Sequence, residues 1–133
     1  MATRYQQLRQ AIVRLQSSAD EQHAYLESIL AHLTPGGDAT DYGNDELALE
    51  FGDIYLAARH MRETGEITQQ EIDAAKPLSE LLDQWSGEQN GDFWRREALW
   101  RDPRWEQVRQ CARQVLSVFP DEERASDWMS GKD

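Results

Sequence analysis

Apolar residues recur every three or four positions along most of the chain, which is the spacing that places side chains on one face of an α-helix. The first such run is Tyr5, Leu8, Ile12 and Leu15, and the last begins at Trp105. No segment shows the sustained apolar–polar alternation of a half-buried strand. The pattern therefore predicts an all-α protein, a bundle of five or six helices.

Local signals mark where several helices begin. Residues 18–21 and 68–71 each have the spacing of a capping box, in which a hydroxyl and a carboxylate bind otherwise unpaired backbone N–H groups. Asp102 followed by Pro103 supplies a cap and a proline that fits the first helical position. These three signals predict the starts of the second, fourth and last helices.

Other boundaries rest on weaker signals. We expect a polar loop over residues 34–44, a third helix from about residue 45 to 64, and a short helix over 92–100. The fourth helix contains Pro77, which removes one backbone hydrogen bond, so we expect a kink or two short helices there. The polar segment 121–133 is expected to be a frayed tail.

Length and composition favour one helical domain over residues 1–120. A chain of 133 residues with 39% hydrophobic and 29% charged residues is typical of one globular domain. No apolar stretch approaches the roughly 18 residues that a membrane helix needs, and the N-terminal segment lacks the apolar core of a signal peptide. The single Cys111 cannot form an intramolecular disulfide. We therefore expect a cytoplasmic protein that does not bind membranes.

Negative charge is concentrated in the middle of the chain. Residues 38–92 contain fourteen of the 25 carboxylates against three basic side chains, so this segment accounts for the whole net charge of −11. A field of this kind attracts a cationic partner and repels nucleic acid. The charge distribution therefore predicts a cationic protein as partner and excludes DNA or RNA.

The third predicted helix contains the most unusual pattern. Nine of the twelve residues in the segment 47–58 are apolar, and Leu49 and Leu56 lie opposite the face that contains Phe51. A helix with two apolar sides is usually buried centrally. At 100° per residue, a narrow acidic stripe falls between these faces. The stripe consists of Glu46, Glu50 and Asp53.

Three interpretations of this stripe remain open. It is solvated or paired with the arginines of the C-terminal segment (Arg95, Arg96, Arg104, Arg109 and Arg113), it docks a partner, or it helps to hold a metal. In the docking interpretation, the partner-binding residues are Asp41, Asp45, Glu46, Glu50 and Asp53, supported by Glu80 and Asp83. In the metal interpretation, Glu50, Asp53, Glu80 and Asp83 present oxygens to Mg²⁺.

The metal interpretation is similar to a known family. Acidic pairs on consecutive helices resemble the all-α nucleoside triphosphate pyrophosphohydrolases, the MazG and dimeric dUTPase group. The resemblance implies that Glu50 and Asp53 on one helix, with Glu80 and Asp83 on the next, bind Mg²⁺ for attack by water on a nucleoside triphosphate. No cofactor is expected outside this alternative.

The whole chain resembles a different class. Small size, an all-helical pattern, acidity and the lack of a catalytic motif resemble the immunity proteins of bacterial polymorphic toxin systems, of the contact-dependent or type VI kind. The resemblance implies a protein that is not an enzyme and that neutralises a cationic toxin by occluding its active site. A helical adaptor or regulator is the remaining alternative. The sequence leaves open whether Trp100 and Trp128 belong to the core or to an interface.

Overall fold

The structure, a computed structural model, describes residues 3–30, 43–122 and 124, with the side chains of Leu30 and Glu88 excepted. Within these residues the chain forms α-helices, one 3₁₀ helix and no strand. The α-helices are α1 (Arg4–Gln16), α2 (Ala19–Leu30), α3 (Asp45–Tyr55), α4 (Ala58–Glu63), α5 (Gln69–Gln84), α6 (Ala98–Arg101) and α7 (Pro103–Leu116), and the 3₁₀ helix is Glu88–Trp94. The predicted all-α class is confirmed, and the number of helices exceeds the predicted five or six.

Capping by side chains explains where the well-predicted helices begin. In both predicted boxes the first hydroxyl accepts a hydrogen bond from the backbone N–H three residues later, at 3.2 Å for Ser18 and 3.1 Å for Thr68. A third box, which was not predicted, opens α1: the Thr3 hydroxyl accepts from the Gln6 N–H, and the Gln6 side chain accepts from the Thr3 N–H. The Asp102 carboxylate accepts from the N–H of Arg104 at 2.9 Å and caps α7 as predicted.

The predicted third helix is divided, which adds one helix to the count. The N–H of Ala57 bonds to the carbonyl of Ile54 at 2.9 Å, three residues back, and its ψ of 3° takes the backbone out of the α-helical path. After this break Ala58 and Met61 are buried, while Leu56 is 86% exposed. The expectation that both apolar sides of this helix are buried was therefore wrong, because the break and the groove described below leave its second side open.

The fourth predicted helix behaves differently from the third. A single helix, α5, runs through Pro77, so two separate helices do not form there. Pro77 and Asp73 are both exposed, so the carbonyl that loses its N–H partner at residue 73 can bond to water instead. The expected short helix over 92–100 is replaced by the 3₁₀ helix and α6, with Arg95 in extended conformation between them.

The core is organised around α1. α1 packs between α3 and α7, α7 in turn packs against α5, and α2 packs against α6. The predicted apolar seam of α1 is buried, with Leu8 and Ile12 fully inaccessible. Phe93 of the 3₁₀ helix stacks on Trp105 of α7 at 4.5 Å between ring centroids. With α1 and α7 at the centre, α3 and α5 lie on the outside and leave space between their exposed sides.

Candidate functional site

A large groove lies between α3 and the C-terminal half of α5. Its volume is about 830 Å³. One wall is α3 from Asp45 to Leu56, the other is α5 from Ser79 to Asp83, and the turn from Ser86 to Trp94 closes one end. We call this feature the α3–α5 groove.

The floor of the α3–α5 groove is apolar and well supported. Phe51 is buried and stacks on Tyr55 with ring centroids 5.3 Å apart. Trp94 packs edge-on against Phe93 at 4.6 Å, and its indole N–H donates to the carbonyl of Trp85 at 3.0 Å. Aromatic contacts of this geometry add stabilisation beyond area burial. The floor is therefore preformed before any partner arrives.

Two large apolar side chains on the α3 wall remain open to solvent. Leu49 is 49% exposed and Leu56 is 86% exposed. Between them lies Gly52, where an added methyl group would meet no atom within 4 Å beyond its own helix backbone. The α3 wall therefore has two exposed leucine side chains with an open space between them. Exposed apolar groups that line one concave surface are typical of protein interaction sites.

Three carboxylates lie on the rim of this apolar groove. They are Asp45, Asp53 and Asp83, all exposed, and we call them the rim carboxylates. None of the three forms an ion pair with any residue that the structure describes, and the described lining contains no lysine or arginine. The groove therefore combines an apolar floor with an uncompensated negative rim.

The other end of the groove is fixed by a hydrogen bond between its walls. The Tyr55 hydroxyl donates to the carbonyl of Ile72 at 3.1 Å, which joins α3 to the first half of α5. Burial raises the pKa of Tyr55, and the negative charges of Asp73 and Glu80 raise it further. Glu80 therefore lies near Tyr55 at this end, outside the groove lining.

Glu50 points away from the groove. Its carboxylate accepts a hydrogen bond from Arg14 of α1 at 2.5 Å and another from the Tyr25 hydroxyl of α2. Burial raises the pKa of Tyr25 to about 12, with contributions from the bond to Glu50 and from the charge of Glu46. Glu50 thus joins three helices, and its arginine comes from α1 and not from the C-terminal segment considered in the sequence analysis.

The predicted site residues are therefore only partly brought together. Three of them line the groove, with Asp45 and Asp53 on the α3 wall and Asp83 on the α5 wall, while Glu46 and Glu50 lie towards Tyr25. Glu80 is exposed on α5 outside the groove lining, and Asp41 falls outside the described residues. In the described part of the chain no three His, Cys, Asp or Glu side chains form a group that could hold a metal ion. The magnesium alternative stays a prediction.

Sequence reasoning missed a second set of acidic residues. Glu66 and Glu71 are 2% and 3% exposed, and each binds an arginine from a distant part of the chain. Glu66 accepts from Arg4 and Glu71 accepts two hydrogen bonds from Arg124, at 2.6 and 2.8 Å. The Arg124 guanidinium also lies 4.0 Å above the Tyr5 ring. These contacts bind residue 124 to the helical body.

Hydrogen bonding keeps both of these buried carboxylates ionised. The bond from Arg4 lowers the pKa of Glu66, opposed by burial and reinforced by Thr64. Burial alone raises the pKa of Glu71, but the bonds from Arg124 and from the Thr68 backbone outweigh it, and the resulting pKa is below the usual range. The capping-box spacing identified Glu71 as a cap, but no local signal identified its arginine partner.

The C-terminal arginines are largely engaged with other groups. Arg104 pairs with Asp102 at 2.5 Å and with Asp92 at 3.1 Å. Arg109 is buried and donates to Gln22 at 3.0 and 3.1 Å. The ion pair between Arg104 and Asp92 joins this basic segment to the acidic segment 38–92, and among the described residues none of the rim carboxylates pairs with one of these arginines.

Comparisons with protein-family models, with curated proteins and with solved structures give no match for this chain. Among the described helices, none is both long enough and apolar enough to cross a bilayer. The functional conclusion therefore depends on the geometry and charge of the α3–α5 groove.

Proposed function

We propose that the chain is an acidic protein-binding module that neutralises a cationic protein by covering its functional surface, as immunity proteins do. The observation that supports this proposal is the α3–α5 groove, in which the rim carboxylates flank an apolar floor and no lysine or arginine occurs among the described lining residues. A protein that protects its own cell in this way acts in the cytoplasm.

The rim carboxylates suit recognition because a partner that binds them breaks no ion pair among the described residues. Asp45, Asp53 and Asp83 are exposed and lack ion pairs within the described residues. A cationic partner therefore gains their attraction without displacing an arginine, whereas Glu50 is already bound to Arg14. Complementary charge of this kind accelerates association and selects against partners of the wrong sign.

The exposed leucines of the α3 wall supply apolar area that a partner can bury, which charge alone does not provide. Leu49 and Leu56 expose apolar area that becomes favourable to bury when a partner covers it. Stable interfaces generally combine a buried apolar centre with a polar rim. The groove has both parts, and a protein seated on it would have its own cationic surface covered by the helical body.

Affinity capture from the source organism tests this proposal. The wild-type chain is compared with a rim variant, Asp45→Lys/Asp53→Lys, and with a control variant, Glu63→Lys/Glu97→Lys. The control sites are exposed, lie outside the groove lining and change the net charge by the same amount. Mass spectrometry identifies the captured proteins, and the activity of the purified partner is then measured with and without the chain.

The expected result is one basic protein that the wild-type chain and the control variant capture and the rim variant does not, and whose activity falls when the wild-type chain is added. Capture that is equally strong with the rim variant would contradict the docking surface. Binding that leaves the activity of the partner unchanged would contradict neutralisation and favour the adaptor alternative.

A further inference from the structure

We infer that the α3–α5 groove recognises a single basic amphipathic α-helix of the partner, with an apolar side chain inserted at Gly52. This inference rests on the proposed function and specifies the part of the partner that is bound. Its basis is the order of Leu49, Gly52 and Leu56 along α3. On one helical face, two exposed leucine side chains flank a glycine, so an open space lies between them.

The space above Gly52 is open to a side chain from a partner. Leu49 and Leu56 are separated by two helical turns, about 10 Å at 1.5 Å per residue, with Gly52 between them. No atom beyond the helix backbone lies within 4 Å of the position that a Gly52 methyl group would occupy. Gly91, in the turn that closes one end of the groove, also has no atom within 4 Å of the position that an added methyl group would occupy. An apolar side chain that enters between the leucines therefore meets no obstruction.

The rim indicates the charge pattern of the bound helix. Asp45 and Asp53 lie on one wall and Asp83 on the other, so negative charge flanks the apolar floor on both sides. A helix with one apolar stripe and lysine or arginine on either side of it matches this arrangement. The α3 wall from Asp45 to Leu56 is about 16 Å long, which accommodates about three turns.

An extended peptide fits the groove less well than a helix. The walls are α3 and α5, whose backbone N–H and C=O groups are used within the helices, and the described residues contain no sheet edge. A strand gains most of its affinity from main-chain hydrogen bonds to such an edge. Recognition in this groove must therefore come from side chains, which an amphipathic helix presents on one face.

Charge also disfavours two other occupants. A second copy of the chain packed groove to groove would bring the rim carboxylates of both copies together, and like charges across an interface are destabilising. A membrane surface carries anionic lipid and repels the same rim. The cationic helix is the occupant that the rim attracts.

A model peptide tests this inference directly. The probe is a leucine–lysine peptide of about 14 residues with leucines at i, i+3, i+4 and i+7. One control peptide has the same composition with leucine and lysine alternating, and another replaces lysine with glutamate. Calorimetry measures binding to the full chain, and circular dichroism measures the helicity that the bound peptide gains.

Two groove variants and one control separate the insertion of a side chain at Gly52 from general electrostatic attraction. Gly52→Leu fills the gap, and its matched control Ala24→Leu adds the same side chain at an exposed position of α2 outside the groove. Leu56→Ser removes one projection that makes no contribution to the core. We expect the helical peptide to bind and gain helicity, and each groove variant to weaken that binding by about tenfold or more. Ala24→Leu should leave it unchanged.

Several outcomes would overturn the inference. Equal binding of the alternating peptide, or binding insensitive to Gly52→Leu, would mean that the groove attracts charge without selecting a helix. A dimer in sedimentation that Gly52→Leu abolishes would assign the groove to a second copy. If the captured partner depends on the rim carboxylates but not on Gly52 or Leu56, the proposed function stands and the helix inference fails.

Discussion

The carboxylates near the two ends of α5 differ in burial and in ion pairing. Near its start, Glu66 and Glu71 are buried and bound to arginines. Near its end, Asp83 is exposed and, with Asp45 and Asp53 across the groove, has no ion pair among the described residues. Buried carboxylates stabilise a fold only while their partners are present, whereas exposed ones contribute mainly to the external field. We therefore expect the first group to contribute to stability, and the rim is the part that we propose to contribute to recognition.

The largest expected effect comes from removing a buried partner. Arg124→Ala should lower the free energy of unfolding by about 3 kcal/mol, because Glu71 is left charged and unpaired in the interior. Urea denaturation of the wild-type and variant proteins measures this loss. Replacing both residues, as Glu71→Leu/Arg124→Leu, should recover most of it because no unpaired charge remains. A double variant as unstable as Arg124→Ala would contradict the ion-pair explanation.

Acid should weaken the buried end of α5, where two carboxylates are paired with arginines. The pKa values of Glu66 and Glu71 in the folded protein lie below the ordinary value of 4.5. The stability that these groups contribute is therefore fully present above pH 4.5 and is lost as the pH falls through the lower, folded pKa.

Variants identify the groups responsible for this acid dependence. Glu66→Gln and Glu71→Gln should each flatten the decline of unfolding free energy below about pH 4.5, as followed by urea denaturation at several pH values. Asp83→Asn, a rim neutralisation, serves as the control and should leave the slope unchanged. A slope that Asp83→Asn flattens equally would place the acid-sensitive charge on the rim.

An intermediate effect is expected at Glu50, which belongs to neither group. Glu50→Gln should lower the free energy of unfolding by about 1 kcal/mol, because the charge-assisted bond from Arg14 is weakened at a partly exposed site. It should also shift the pKa of Tyr25 downward from about 12, since the Glu50 carboxylate contributes to raising it. Absorbance titration of tyrosine follows this shift, and Tyr25→Phe identifies the signal. An unchanged titration would contradict the contact.

Features that depend on residues close together in the sequence were predicted correctly, whereas features that depend on contacts between distant parts of the chain were not. The capping boxes at residues 18–21 and 68–71 and the buried seam of α1 follow from local spacing, and the structure confirms them. The break after Tyr55 has no local signal, because the apolar pattern continues through it. Tertiary packing that buries Met61 and exposes Leu56 determines that position.

The candidate site shows the same limit at the level of single residues. Glu50 and Asp53 are one turn apart and were grouped in one stripe, yet Glu50 turns towards Arg14 while Asp53 faces the groove. The helices that pack against α3 determine these two orientations. A helical-wheel projection of α3 alone carries no information about those neighbouring helices. The bond between Glu71 and Arg124 spans 53 residues for the same reason.

The smallest expected effect on stability is at the rim itself. Neutralising Asp45, Asp53 or Asp83 singly to asparagine should change the free energy of unfolding by no more than about 0.5 kcal/mol, because none of them has an ion pair within the described residues. Urea denaturation beside Arg124→Ala gives the comparison. A loss above about 2 kcal/mol at any rim position would show that the rim supports the fold and would remove the distinction between the two ends of α5.

Association kinetics of the purified partner test the central claim most directly. The association rate constant is measured across a range of salt concentrations for the wild-type chain, the Asp45→Lys/Asp53→Lys variant and the Glu63→Lys/Glu97→Lys control. If the rim steers a cationic partner, the rate falls steeply with salt for the wild-type and control chains, and the rim variant associates slowly with little salt dependence. Equal rates and equal salt slopes for the two variants would contradict the claim.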